Sequence, residues 1–371
     1  MRAYVLRDAA LTKYAGQFAW LSIDSDKPKN SAFVEKFPIQ GWPSFLVIDP
    51  AAEKIALKWY GSATAEQLAK LAEDGARAMK GGGEGPEAAL ARADRLNADG
   101  KPGEAASAYR EAIQAGGPKW PRRERTIESL VMAYQFARKH EDCAQAAIEF
   151  VPAMPRDRSF ANVLYFGLEC AVGGGQADWA KSAAGQLRPL AEQAVRIPGV
   201  LGDDRAQLYA TLLDLYGREK DAEASKKLSA EFLAFLDEHE KTAPSAEARA
   251  SLDSYRVMMA MRQKDPARAI PALQASERDL PNDYNPPARL TTLYSALGRY
   301  DEALAASGRA LAKVYGPRRI QVLTTRSGIL EKKGDKEAAR RTIEEAIRFA
   351  STIAKGERQV ESLKKLLERL R

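Results

Sequence analysis

Histidine and cysteine are scarce in this chain, with two of each among 371 residues. Neither His140 nor His239 has a second histidine or a cysteine at ligand spacing, which argues against a zinc site. His140 reads as an end-of-helix residue near a C-terminal dipole, and His239, in LDEHEK, as a solvated helix residue. Cys143 and Cys170 fall in separate helical patterns. A disulfide needs helix stacking to align them; otherwise they are two small buried thiols. No Gly-x-Ser-x-Gly elbow occurs, and neither cysteine has a base partner. The glycine cluster KGGGEGP at 80–86 lacks a following Gly-Lys-Ser/Thr, so it reads as a flexible joint rather than a phosphate loop. These absences point to no active site, no metal and no cofactor. No apolar run approaches the ~20 residues that cross a bilayer. Arg7 and Asp8 sit where a signal peptide would need an apolar core, so the chain as written is expected in the cytoplasm. A secreted or periplasmic location follows instead if the N-terminus is truncated.

What is present indicates a folded protein. The hydrophobic share is 45% and the charged share 29%, and this length accommodates two or three ordinary domains. The net charge of +7 is concentrated at one end, where residues 313–371 hold 16 Lys and Arg against 8 Asp and Glu. Such a surplus attracts an acidic partner or a polyanion, or is simply a solvated helix face. No nucleic-acid partner and no membrane insertion are expected.

The stretch Asn285–Pro317 reads as two short amphipathic helices. Leu290, Leu293, Tyr294 and Leu297 share one face of the first, and Gly298 ends it. Ala303, Leu304, Ser307, Ala310 and Leu311 line the inward face of the second, and the small residues allow close backbone approach. Related offsets recur around Lys264 (Ala269, Leu273, Ser276, Pro281) and around Gly334 (Leu330, Ala339, Ile343, Ala346). They recur again near Gly100 (Leu96, Ala105, Tyr109, Ala112). These four units resemble the tetratricopeptide repeat family. Thr291 stands where that family usually has Gly, and Ser307 where it has a large aromatic. Between them, Glu128–Ala137 with Ala144–Val151, Phe160–Ala171 with Ala177–Val195, and Arg205–Tyr216 with Ala222–Glu240 make three further pairs off the period. The final GERQVESLKKLLERLR places Val360, Leu363, Leu367 and Leu370 on one stripe, as a capping helix would.

Residues 1–80 differ in kind. Phe18–Asp24 alternates like a buried strand, and Ser31–Phe37 reads as a short helix. Ser44–Asp49 and Ile55–Tyr60 make a hairpin, and Thr64–Met79 reads as a closing helix. With the Gly41-Trp42-Pro43 entry, this order resembles the C-terminal two-thirds of the thioredoxin fold. The resemblance implies a cis bond before Pro43, a peptide groove lined by Trp42 and Pro43, and a first helix through Tyr4–Tyr14. It also implies a paired-cysteine motif at or upstream of Met1, which this chain does not contain. Either the start lies further upstream or the block is a natural remnant.

The expected fold is therefore mostly α: a partial thioredoxin-like α/β block, then a tetratricopeptide-like α-solenoid of helix pairs. The domains are 1–79, a glycine-rich linker 80–86, and helical repeats with a capping helix over 87–371. Residues 1–80 are expected to be removable at little cost to the array. The function expected is a protein- or peptide-binding scaffold with a redox-inactive remnant. A thiol-disulfide oxidoreductase with its paired cysteines upstream is the alternative. The tetratricopeptide resemblance implies a groove lined by the first helix of each pair. That selects Ser254, Met258, Met261 and Arg262, then Thr292 and Ser295, then Glu331 and Lys332; the methionines serve equally well as core. The Lys and Asn carboxylate clamp of co-chaperone members is not recognisable.

Overall fold

The computed structural model describes residues 5, 6, 8–80, 83–353 and 356–370. In chain order the elements are α1 (Ser31–Lys36), β1 (Ser44–Asp49), β2 (Lys54–Tyr60), α2 (Ala65–Met79), α3 (Gly85–Ala98) and α4 (Pro102–Gly116). Next come α5 (Arg123–Phe136), α6 (His140–Phe150), α7 (Arg158–Gly173), α8 (Asp178–Ala194), α9 (Gly202–Glu219) and α10 (Ala222–Thr242). The chain continues through α11 (Ala246–Ala250), α12 (Asp253–Arg262), α13 (Ile270–Asp279), α14 (Asn285–Ala296) and α15 (Tyr300–Leu311). It closes with α16 (Arg318–Lys333), α17 (Lys336–Ala350) and α18 (Glu357–Arg369). Two compact units result. One comprises Met1–Ala19 with Ile39–Phe232, the other Trp20–Pro38 with Leu233–Arg371.

In the first unit, β1 and β2 pair antiparallel from Ser44↔Tyr60 to Asp49↔Lys54, with a bulge between Val47 and Ile48. Thr64 caps α2 through a capping box with Gln67. Gly75 lets α2 lie close on β1, since a Cβ there would stand 2.6 Å from the Val47 side chain. Leu57, Trp59, Leu68 and Leu71 form the local core. Ala56, Ala78 and Ala91 join β2 and α2 to α3. The pairs α3–α4, α5–α6 and α7–α8 follow, and Tyr209 of α9 stacks on Phe232 of α10 at 4.7 Å.

The structure departs from the sequence expectation at Phe18–Asp24, in the first helix and at both histidines, and it selects between the two alternatives for the cysteines. No strand forms at Phe18–Asp24; Ala15 and Phe18 make an isolated bridge, and residues 19–24 carry no strand. Alternation alone cannot supply a neighbour: β1 is bonded to β2, and from Trp20 on this segment belongs with the second unit. The helix expected through Tyr4–Tyr14 is a 3-10 helix at Ala9–Tyr14, and Tyr4 lies outside the described residues. The two cysteines are bonded as a Cys143–Cys170 disulfide joining α6 to α7, with Cα atoms 6.1 Å apart. His140 opens α6 rather than closing a helix. His239 is half-buried beside Phe235, not solvated. The Trp42–Pro43 peptide is cis, as the thioredoxin-fold resemblance implied. Of the joint at 80–86, Gly81 and Gly82 lie outside the described residues, and Gly85 already opens α3.

In the second unit, the first helices of successive pairs begin at Asp253, Asn285 and Arg318. Leu273, Leu290, Leu293, Tyr294, Ala303 and Ala306 make one core. Leu323, Ile343, Ala346, Leu363 and Leu370 make the next, with Val360 and Leu367 against it, so α18 does cover the final pair. Both departures from the repeat pattern have physical answers. The Thr291 hydroxyl donates to the Pro287 carbonyl at 2.9 Å. The Arg326 guanidinium donates to Ser307 Oγ at 2.6 Å and to the Leu304 carbonyl at 2.7 Å, where an aromatic would otherwise pack.

Candidate functional site

Two surfaces on the first helices of pairs are candidates, one in each unit. In the first unit that surface is built from charge. Arg158 opens α7 and is almost fully buried. Its Nε donates to Asp204 of α9 at 2.9 Å, and its Nη1 to Glu128 of α5 at 3.2 Å. Nη1 also donates to Gln67 Oε1 at 3.0 Å, and Nη2 to the Ser62 carbonyl and, at 3.1 Å, the Ser62 hydroxyl. Asn162 donates to Glu128 at 2.6 Å, while Glu128 Oε2 is buried without a hydrogen bond. Burial pushes both Glu128 and Asp204 above the usual carboxylate range, against the opposing pull of Arg158. One guanidinium serves two desolvated carboxylates, so one negative charge lacks a full counterpart.

A second cluster lies alongside. Arg125 grips Asp94 through two bonds of 2.9 Å, and the Tyr109 hydroxyl donates to Asp94 at 2.8 Å. Arg122 reaches Asp74 of α2 at 2.6 Å. The loop and helix from Ser62 through Asp74 therefore cover these faces of α5, α7 and α9. This stretch of first helices is occupied by the chain itself. The sequence reading missed this site. Its signal was a basic residue between two acidic ones, Glu128, Arg158 and Asp204, on three successive first helices.

In the second unit the outward residues of α12 and α14 form the other surface. Ser254, Met261, Arg262 and Thr292 are exposed and Met258 and Ser295 half-buried. The intervening Met259, Ala260, Leu290, Leu293 and Tyr294 are buried in the core. Glu331 is engaged by Arg369 of α18 at 3.2 Å, and Lys332 is exposed. Trp42, in the first unit, is 66% exposed. Among the described residues no group of three or more His, Cys, Asp or Glu could hold a metal, and no helix is long and apolar enough to cross a membrane.

No family model and no curated protein matches the chain. Among solved structures it is similar to a tetratricopeptide repeat protein from Parabacteroides merdae, at 12% identity and TM-score 0.49, covering 77% of this chain and 98% of that one. It is also similar to residues 1–338 of an assembly chaperone of RpL4, at 12% identity and TM-score 0.41, covering 76% and 97%. A third is the TPR2AB domain of yeast Sti1 in complex with pHSP90, at 13% identity and TM-score 0.30, covering 76% and 98%.

Proposed function

We propose that the protein is a binding scaffold whose second unit takes a peptide or protein segment on the faces of α12 and α14. The observation that carries this is the row Ser254, Met258, Met261 and Thr292, turned outward while its neighbours fill the core. Methionine side chains are flexible and polarisable, which suits several partner side chains. The basic surplus of residues 313–371 supports an acidic partner. The N-terminal hairpin and α2 are read as a redox-inactive thioredoxin-like remnant, supported by element order and the Gly-x-Pro entry into β1. The domain division at 80–86 belongs to the same reading. The Cys143–Cys170 bond supports a secreted or periplasmic setting, since disulfides persist in oxidising compartments.

The test is selection of peptides from a random library against the full chain. Selected peptides should lose at least about tenfold in affinity, or ~1.4 kcal/mol, on Thr292→Glu or Met258→Lys. They should bind normally to Ala305→Glu, an exposed position on α15. Equal loss at all three positions, or at none, would remove this face as the binding surface.

A further inference from the structure

The excursion Trp20–Pro38 departs from the first unit and packs within the second. Its centre, Asp24-Ser25-Asp26, is a preformed turn. Asp24 Oδ1 accepts from the Asp26 amide at 3.1 Å, and the Asp24 carbonyl accepts from Asn30 Nδ2 at 2.8 Å. The turn meets the loop between α15 and α16 through both side chains and backbone. The Tyr315 hydroxyl donates to Asp24 Oδ2. Arg318 Nε stands 3.6 Å from Asp26 Oδ2, and the Lys27 ammonium lies over the Tyr315 ring, 5.4 Å from its centroid. Gly316 has φ of 60°, and a Cβ there would fall 2.4 Å from the Asp26 carbonyl oxygen, so only glycine permits this approach. Tyr284, at the start of α14, is raised by burial and by the negative charge of Asp26, against the pull of Arg318.

Two carboxylates two residues apart are thus read by a phenol and a guanidinium, with the backbone pressed against a glycine. This is how a short acidic peptide would be recognised, and here the peptide belongs to the chain itself. The ion pair is long, at 3.6 Å, and its Arg318 side chain is 55% exposed, so it holds the segment weakly. Tethering, rather than contact strength, keeps it seated. We propose that the Tyr315–Arg318 corner recognises an aspartate-x-aspartate turn, that Asp24–Asp26 fills it as an internal ligand, and that an acidic partner segment of this pattern displaces it. The proposal rests on the scaffold reading and specifies its partner's chemistry.

The probe is a fluorescein-labelled peptide with the sequence of residues 22–30, SIDSDKPKN, and its counterpart with both aspartates changed to asparagine. Binding is read by anisotropy on the full-length chain. An Asp24→Asn, Asp26→Asn variant, whose internal ligand is weakened, should bind the acidic probe at least about tenfold tighter than the parent does. The asparagine probe should bind neither chain. Adding Arg318→Glu, or Tyr315→Phe as the milder change, should cut that binding. Gly316→Ala should both abolish probe binding and speed hydrogen exchange at residues 22–30. No probe binding to the double variant overturns the proposal, as does equal binding to parent and variant or binding indifferent to Arg318→Glu. Circular dichroism confirms that each variant is folded. Loss of this corner with Thr292→Glu still blocking selected peptides refutes the internal ligand alone; the reverse outcome refutes the outward face of α12 and α14.

Discussion

Arg158 is the residue on which the first unit's covered face depends. Its guanidinium is the cation between Glu128 and Asp204, and it also accounts for the Ser62 carbonyl and Gln67. Arg158→Met should cost about 3–5 kcal/mol in urea unfolding, because two buried carboxylates lose their counter-charge. The same carboxylates set a pH dependence. Both have native pKa values raised by burial, so the native state holds more protons than the unfolded state just above the unfolded values. Their contribution is full below those values, 4.5 for Glu128 and 3.8 for Asp204, and is lost as pH rises through the native values. Glu128→Gln should therefore flatten the fall of the urea midpoint as pH rises above 4.5. Parallel curves for parent and variant would show that Glu128 is not the group responsible. None of this could be read from the chain, since a charged residue in a helix is normally solvated. Only packing of Ser62 onto Arg158, 96 residues away, makes this one different.

At the scale of elements, the disulfide fixes α6 to α7 across a separation of 27 residues. By loop-closure entropy, replacing both cysteines with serine should cost about 3–4 kcal/mol. Thermal unfolding with and without reductant checks this: reductant should lower the midpoint of the parent once it reaches the buried bond, and leave the serine variant unmoved. The helix pairs themselves were legible, because apolar residues at spacings of three and four declare a face without reference to any partner. Gly298 and Gly334, both at positive φ, end their helices where the periodicity stops. The hairpin was legible for the same local reason. Phe18–Asp24 was not, because a strand is defined by its neighbour, and the neighbour was not in the alternation. Nor was the cysteine pair, which depends on how far α6 and α7 are rotated about their axes. Of the candidate site, the outward residues of α12 and α14 followed from periodicity. The self-covering of α5, α7 and α9 depended on contacts that no local pattern encodes.

For the whole molecule, contacts made by residues 62–74 bear on the expectation that residues 1–80 can be removed at little cost. Ser62 and Gln67 are partners of the buried Arg158 on α7, and Asp74 of the half-buried Arg122 that precedes α5, so deleting them strands those charges. Cleaving the backbone after Lys80 should therefore leave the two pieces associated on gel filtration in native buffer, and separate them only in denaturant. Free elution of the N-terminal piece from an otherwise folded remainder would mean that these contacts contribute little. The same contacts bear on how the chain is made. Ser62 is bonded to Asp204, 142 positions later. At roughly 5–20 residues per second on the ribosome, the wait between the two is on the order of 10 s. For that interval the hairpin and α2 are outside the ribosome while the arginine and carboxylates that will bury them do not yet exist. A nascent chain paused before residue 158 should accordingly be a better substrate for holding chaperones than one paused after residue 219.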